Sequence, residues 1–492
     1  MAHRHLSKSK IMAGRQCEKR LWLEVHRPEL LEYGPGVEQR FAVGHAVNEI
    51  VQSQYPEGIL VSGEESLSAA LRETKRLLQV EPGRPLFEAT FRAQNVLVRV
   101  DLLEKRHGGH DFTEVKSSTS VKESYYDDCA VQAWVLEKAG MTLSGVYLCH
   151  INNGFVYAGD GDYSDLFHYE PLTAEITPLK REVPKWVRRY KRLLDDAEPC
   201  IDMGPQCTDP YECPFIEYCR GEESGYPLRY LPGRQAIVAE LAAEGIDDIR
   251  AVPEGRLTNA KQEWVRRVTA AGEAELRPGA AEVARYGYPR YYLDFETIAF
   301  AVPIWAGTSP YKQLPFQWSC HIEAADGTLR HEEFLDTSGE PPMRTCAESL
   351  IRTLKKRGPI FVYGSFEKMI LNALADRFPD LAEDLVKITG RLVDLLPVVR
   401  ENYYHPDMQG SWSIKKVLPT VAPHLDYATL GEVQDGGAAQ TAYLRIIDPD
   451  TDAQIRKRLI ADLQEYCSHD TLAMVELVRF LATAGKGDNP GE

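Results

Sequence analysis

The spacing of apolar side chains changes several times along this chain, and each change marks a structural boundary. Residues 38–53 and 66–79 place apolar side chains at helical intervals and predict helices. Residues 86–92, 95–104 and 111–116 alternate or run apolar between turn residues and predict strands. A helix is expected at about 125–139, a strand near 144–151, and a strongly basic helix at about 181–196. Together these predict a mixed α/β domain over residues 1–222. Residues 223–285 keep helical periodicity but are broken by Gly and Pro, which predicts a small helical connector. At Tyr288 the pattern returns to α/β with the apolar run YYLDFETI and continues to about residue 483, giving a second α/β domain over 286–483. Residues 484–492 are expected to be a disordered tail.

A chain of 492 residues is too long for one ordinary core, which agrees with this division. No apolar run approaches the roughly 18–20 residues that span a bilayer, so no membrane partner is expected. The N-terminal MAHRHLSKSK is basic without an apolar segment behind it, so no secretory signal is read and a cytoplasmic location is expected. The net charge of −16 argues against a broad basic surface that coats nucleic acid. It leaves room for acidic metal sites beside a local basic groove. Two stretches are locally basic, Arg4–Arg20 and the helix bearing Lys180, Arg181, Lys185, Arg188, Arg189, Lys191 and Arg192. The second reads equally well as a solvated helix face.

Asp101 is the acid of the strand NVLVRVDLLEK, and Glu114 and Lys116 stand two apart in FTEVK, so both project from one face while Val115 turns inward. If the strands are adjacent, two carboxylates and an ammonium meet. Hard divalent ions prefer such oxygens. Mg²⁺ or Mn²⁺ held there would polarise a phosphate and acidify an attacking water. The pattern resembles the RecB-like nucleases of the PD-(D/E)XK (restriction-endonuclease-like) fold, in which a strand acid precedes a (D/E)-x-K strand and a helix bearing glutamine. Gln132 occupies that helix position, Glu88 on the preceding strand is a further candidate ligand or salt-bridge partner, and the resemblance covers residues 8–222. It implies that Asp101 and Glu114 bind metal and that Lys116 and Gln132 serve catalysis. The sequence departs from the family at Asn48, four residues after Gly44, where many members place a metal-binding histidine; His45 reads as an ordinary, partly buried helix histidine.

Ten cysteines in a chain expected to be cytosolic favour metal or cluster binding over disulfides wherever they group. Cys207, Cys213 and Cys219 recur with five residues between neighbours, and Pro210 and Pro214 favour turns over one long helix. With Cys17 far upstream, the set resembles the iron–sulfur staple of RecB-like nucleases in helicase–nuclease and CRISPR-associated proteins. The resemblance implies a [4Fe–4S] cluster that ties the ends of the domain together; a structural Zn²⁺ on the same four thiolates is the alternative. Cys200 is a substitute ligand, whereas Cys129, Cys149, Cys320, Cys346 and Cys467 read as core or incidental residues.

Asp294 and Glu296 share one face of the apolar strand YYLDFETI, and paired buried carboxylates usually mark a metal site. GPIFVYGSFEKMIL reads as strand, turn and helix and carries Glu367; EYCSHD places Tyr466 and Asp470 one helical turn apart. The set resembles DEDD-type exonucleases of the RNase H-like fold, over residues 288–483. Glu367 stands where that family usually has Asp. The resemblance implies two metal ions on Asp294, Glu296, Glu367 and Asp470, with Tyr466 orienting the attacking water. Asp394, a further acid near the second motif, reads as a helix-surface residue or cap, and His469 as a neighbour of Asp470.

The order of parts resembles a bacterial two-nuclease family, also through FTEVKSSTSVKESYYDDCAVQ and YYHPDMQGSWSIKKVLP. In the second segment the turn Gly410–Ser413 with Lys415 and Lys416 is a candidate contact for a phosphate backbone. The expectation is a metal-dependent nuclease acting on nucleic acid, DNA first, in repair, recombination or defence. No Walker A pattern is present, so unwinding would need a helicase or defence-complex partner. Two other classes stay open: a nucleic-acid-binding subunit with one or both sites inactive, and a cluster protein whose oxidation changes binding. Trp22, Trp134 and Trp186 read as packing residues rather than base-stacking ones.

Overall fold

The structure, a computed structural model, describes residues 6–34, 36–62, 66–221, 225–233, 236–355, 357–425, 427 and 430–484. Apart from Ala484, the expected tail lies outside them. The chain is mixed α/β and divides into two compact units, residues 1–222 with 300–312, and residues 223–299 with 313–492.

The first unit runs β1 (Leu6–Ser7), α1 (Lys8–Gln16), α2 (Glu18–His26), α3 (Val37–Ser53), β2 (Ile59–Leu60), α4 (Leu67–Val80), β3 (Leu86–Ala93), β4 (Val96–Arg106), β5 (Gly109–Lys116), α5 (Glu123–Lys138), β6 (Leu143–Ile151), β7 (Phe167–Pro171), α6 (Thr173–Leu193) and α7 (Ile216–Arg220). The sheet order is β2-β3-β4-β5-β6-β7, with β1 added to β4. The strands β3, β4 and β5 form an antiparallel meander, and β6 lies parallel to β5 after the crossover helix α5. Gln94 and Asn95 at the β3–β4 turn both have positive φ, 52° and 63°, the geometry whose twist suits a two-residue hairpin. Helix α5 is buried all along Asp128–Leu136. Cys129, Val131, Val135 and Leu136 share one core with Val98, Val100, Phe112 and Leu148 of the sheet.

The basic helix differs from expectation. It starts at Thr173, encloses Pro178 and Pro184, and ends at Leu193. An interior proline costs a helix about 3 kcal/mol; here the buried stripe Ile176, Val183, Val187 and Tyr190 offsets that loss. Its cations face solvent or pair locally, as Lys180 does with Glu137 and Lys185 with Glu182, so this stretch is a solvated face.

The second unit runs α8 (Ala236–Ala243), α9 (Ala260–Ala271), β8 (Glu275–Leu276), β9 (Arg290–Ile298), β10 (Leu314–Glu323), β11 (Leu329–Leu335), α10 (Met343–Leu354), β12 (Ile360–Val362), α11 (Phe366–Arg377), α12 (Ala382–Thr389), β13 (Leu392–Asp394), α13 (Leu395–Asn402), β14 (Tyr403–Tyr404), α14 (Ile414–Val421), α15 (Gly436–Ile447) and α16 (Ala453–Leu481). Its main sheet has the order β11-β10-β9-β12-β13. The strands β9, β10 and β11 are antiparallel, whereas β12 runs parallel to β9 and β13. Helix α16 is fastened to β10: Gln317 donates to the Leu463 carbonyl at 3.0 Å, and the Thr471 hydroxyl meets Ser319 and His321.

The segment expected as a connector carries helices and is also part of this unit's core. Leu241, Trp264 and Val265 bury with Tyr403, Met408, Trp412 and Val475, and β8 pairs with β14. Residues 300–312, which the second domain was expected to keep, cluster with the first unit; Tyr163 there donates to the Pro303 carbonyl at 2.9 Å. Trp264 is 4% exposed, so Trp264→Ala is expected to cost the second unit about 3–5 kcal/mol. Urea unfolding checks this; an unchanged transition would mean that residues 223–285 are only a spacer.

Candidate metal centre

The second unit gathers its acids on one side of β9. Asp294 and Glu296 project from this central strand opposite Ser319 and Gln317 of β10. Glu367 arrives in the first turn of α11, and Asp470 comes from the middle of α16. Glu296, Glu367 and Asp470 are buried. The sequence places each acid at a point where the backbone aims it inward: a period-2 strand, a strand-to-helix turn, and a helix face shared with Tyr466.

The electrostatics are one-sided. Burial first, then the Asp470, Glu296 and Glu367 charges, drive the Asp294 carboxyl far above its ordinary range. Burial and Asp470 push Glu296 up to about 8. Burial chiefly raises Glu367 to about 7 and Asp470 to about 6. One ammonium, Lys415, opposes this at Glu296 and Asp470. Its Nζ lies 5.2 Å from the Tyr427 ring centre and 5.3 Å from that of Tyr466. The Tyr427 hydroxyl donates to Asp470. Burial and the neighbouring carboxylates hold both phenols protonated, so they serve as donors.

The residues fit a hard divalent cation. Glu367 Oε2 is buried with no hydrogen-bond partner, and a carboxylate oxygen left so is costly unless a cation reaches it. Asp294, Glu296 and Cys467 bring ligand-type atoms within 4.8 Å of one another. Cys467, expected as an incidental core thiol, is a correction. It lies three residues before Asp470 on α16 and donates to Asp294 Oδ2 at 3.7 Å. Burial and three nearby carboxylates keep it a thiol, so it acts as a donor. Asp394 caps α13 and also accepts from Gly364 N–H at 2.8 Å, which fixes the turn before Glu367. His469 packs edge-on against Tyr427, ring centres 4.6 Å apart.

The first unit brings together Asp101, Glu114, Lys116 and Gln132, and adds Lys8 and Asp128, which the sequence reading missed. Glu114 Oε1 accepts from Lys8 at 2.8 Å and Lys116 at 2.5 Å, and Oε2 accepts from Gln132 at 2.5 Å. Lys116 also reaches Asp128 at 2.8 Å, and Lys8 lies 3.3 Å from it. Burial alone would raise the Glu114 carboxyl, but the two ammonium groups hold it well below its usual range. Asp101 accepts the Val115 N–H at 2.7 Å; burial and Glu114 push it up to about 8. Glu88 lies 3.5 Å from Arg99, a salt-bridge partner. His45 is exposed on α3. Lys8 came from no recognisable pattern, since its partner Glu114 is 106 residues away.

Cys17, Cys207, Cys213 and Cys219 line one cavity with Leu23, Phe215 and Ile216. The turn that returns the chain is held by Cys213 N–H to the Cys207 carbonyl at 2.8 Å. Burial raises Cys213 to about 11, while Arg20 opposes; burial raises Cys219, while Lys19 opposes. Four cysteines lining one cavity, with Lys19 and Arg20 beside them, suit a thiolate-bound metal or cluster. Cys200 is exposed, and it does not line this cavity.

These observations define a two-unit mixed α/β protein with a buried four-carboxylate centre. Residues 291–413, which include Asp294, Glu296 and Glu367, match a family described as "Domain of unknown function (DUF2779)". The chain is 25% identical over 214 residues to the "Uncharacterized protein MG366 homolog" of Mycoplasma pneumoniae (strain ATCC 29342 / M129 / Subtype 1); the match covers 39% of this chain and 32% of that protein. The chain thus spans about a third of that relative's length. A solved structure titled "Crystal structure of SSO0001" is similar at a TM-score of 0.18 and 13% identity, covering 38% of this chain and 77% of that one. That score carries no argument about fold.

The raised carboxyls set a pH dependence. Unfolded, they ionise near pH 4; folded, Asp470, Glu367 and Glu296 hold protons to about 6, 7 and 8. The native state then binds more protons, so the ion-free centre loses stability as pH rises from about 4 to about 8. Asp294→Asn is expected to raise Tm in EDTA near pH 8, with a smaller gain near pH 5.5, and to shrink the Tm increase that Mn²⁺ gives wild type. Differential scanning calorimetry checks it. A substitution that lowers Tm in EDTA at both pH values contradicts the repulsion argument.

Proposed function

We propose that the chain is a metal-dependent nuclease whose hydrolytic centre is the acidic cluster of the second unit. The observation that carries this is four buried carboxylates, Asp294, Glu296, Glu367 and Asp470, opposed among the described residues by one ammonium, Lys415. Folding keeps such repulsion where function uses it. The reading is a DEDD-type, RNase H-like domain, and the sheet supports it: three antiparallel strands followed on the other side of β9 by two parallel ones. Those carboxylates would hold the ions. When bound, Mg²⁺ or Mn²⁺ would polarise the scissile phosphate and supply a metal-activated water. Tyr466 and Tyr427, kept protonated, donate hydrogen bonds beside Asp470, and Lys415 offers charge to an incoming phosphate.

The first unit is read as a RecB-like PD-(D/E)XK domain. Support comes from the meander β3–β5, the crossover α5 and parallel β6, and from Asp101, Glu114, Lys116 and Gln132 meeting at their junction. A binding rather than cutting role is favoured here by one observation: both oxygens of Glu114 are already satisfied by Lys8, Lys116 and Gln132. The four cysteines would hold a [4Fe–4S] cluster, with zinc the alternative. DNA is the proposed substrate.

On labelled DNA and RNA with Mg²⁺ or Mn²⁺, Asp294→Asn is expected to lower cleavage at least about 100-fold, which is about 2.7 kcal/mol of barrier. Lys116→Ala is expected to change it less than about threefold, under 0.7 kcal/mol or so. Loss of cutting in Lys116→Ala alone would move the chemistry to the first unit. Wild type that binds without cutting would replace the nuclease by a binding subunit. Separately, anaerobically prepared protein is expected to show the visible absorbance of an iron–sulfur cluster, lost in Cys213→Ser. A colourless wild type holding stoichiometric zinc would assign the site to zinc.

A further inference from the structure

The second unit has a second polar cavity that the acidic centre does not use. It has a volume of about 720 Å³ and is lined by Lys261, Tyr363, Arg400, Ser411, Trp412 and Ser413 among others. That size is ordinary for a small-ligand site. Its chemistry is the reverse of the neighbouring centre. Lys261 stands in the first turn of α9 and Arg400 in the last turn of α13. Among the described residues neither forms an ion pair, and Lys261 feels Arg400 as a like charge, with Glu401 the carboxylate that opposes it. Burial and Arg400 both lower the Lys261 ammonium. Half-buried Lys261 and exposed Arg400 line the same cavity as like charges, an arrangement that an anion between them would relieve.

The cavity wall is prepared for oxygen atoms. Ser411 and Ser413 supply hydroxyls, and the Ser413 side chain is not spent on capping α14. The Trp412 ring forms the floor under Lys261, 5.0 Å from its Nζ. That ring is only 5% exposed and donates to the Tyr403 carbonyl at 2.9 Å, so it is held as a floor and not offered for base stacking. Tyr363 donates to the Trp412 carbonyl at 2.6 Å, which fixes the turn. Hydroxyls and unpaired cations without a free aromatic face are a phosphate's environment rather than a base's.

Two short segments serve both places. Tyr363 lines the cavity, and four residues later Glu367 enters the acidic centre; Ser413 lines the cavity, and two residues later Lys415 faces that centre. We propose that this cavity is a phosphate-binding subsite that grips a backbone or terminal phosphate of a nucleic-acid strand whose neighbouring phosphodiester lies at the acidic centre. The strand assignment rests on the nuclease reading; the anion site itself rests on Lys261, Arg400 and the serine turn.

The test is binding in EDTA, where no cleavage occurs. The full chain is titrated with a short single-stranded DNA carrying a 5′-phosphate, a 3′-phosphate or neither, with inorganic phosphate as competitor, across a salt series. The variants are Lys261→Ala, Arg400→Ala, their double and the charge-keeping Lys261→Arg, each checked for an unchanged Tm. The double variant is expected to bind at least about tenfold more weakly with a salt slope shallower by roughly one to two, while Lys261→Arg stays near wild type. Double-variant binding within twofold of wild type at the same slope, or wild type that binds neither strand nor inorganic phosphate, overturns the subsite. Inorganic phosphate binding that needs Lys261 and Arg400, without any strand binding, leaves an anion site and removes the strand. If the double variant loses strand binding while wild type cuts nothing in Mn²⁺, the subsite holds and the nuclease reading falls.

Discussion

The second unit is arranged around the repulsion between buried carboxylates at Asp294. Its carboxyl is driven upward by burial and by three neighbouring acids, and each element that meets it limits the damage in a recognisable way. The strand β9 sits at the centre of its sheet, paired along its length with β10 and at Tyr291 and Tyr292 with β12. Helix α16 brings Asp470 together with the donors Tyr466 and Cys467 on one face. Tyr427 adds a second phenol to Asp470. Hydrogen bonds to a charged oxygen are the strong ones, yet they do not neutralise it. What remains is a group of carboxyls that ionise together only at a cost and hold protons instead, which is the condition a divalent ion relieves.

Much of this was legible from spacing alone. The apolar flanks of YYLDFETI placed Asp294 and Glu296 on one face of a buried strand, and the four-residue step from Tyr466 to Asp470 put both on one face of α16. The strands β3 to β6 and the helix α5 were visible because periodicity is a local property. Partners brought by long loops were not. Lys8 reaches Glu114 from 106 residues away, and Tyr427 reaches Asp470 from 43 residues away. Nothing in SKSK or in the residues around Tyr427 announces a buried target. Cys467 was misread because a cysteine among apolar residues looks like packing; one turn from Asp470, it is a donor to Asp294.

Domain limits show the same division between local and distant information. Helical periodicity in residues 223–285 was correct as a statement about local structure, with α8 and α9 as the result. It said nothing about where their apolar faces go. Leu241, Trp264 and Val265 bury against residues more than a hundred positions downstream, and no local pattern encodes that. Residues 300–312 are the converse case, a segment inside the sequence of one unit that packs with the other unit's core through Ala301 and Val302.

The two acidic clusters answer the same problem differently, and the difference has chemical weight. In the first unit the carboxylates of Asp101, Glu114 and Asp128 face two ammonium groups, and Glu114 is pulled below its usual range. That cluster is close to balanced without any ion, so a metal entering it must first displace Lys8 or Lys116 from Glu114. In the second unit the acids are pushed the other way, up to about 8 at Glu296, and an arriving cation displaces only protons. The lowered Glu114, beside an Asp101 that is pushed up, and the uniformly raised acids of the second centre therefore point to different costs of metal entry. By that physical argument a divalent ion would enter the second centre at lower cost than the first near neutral pH.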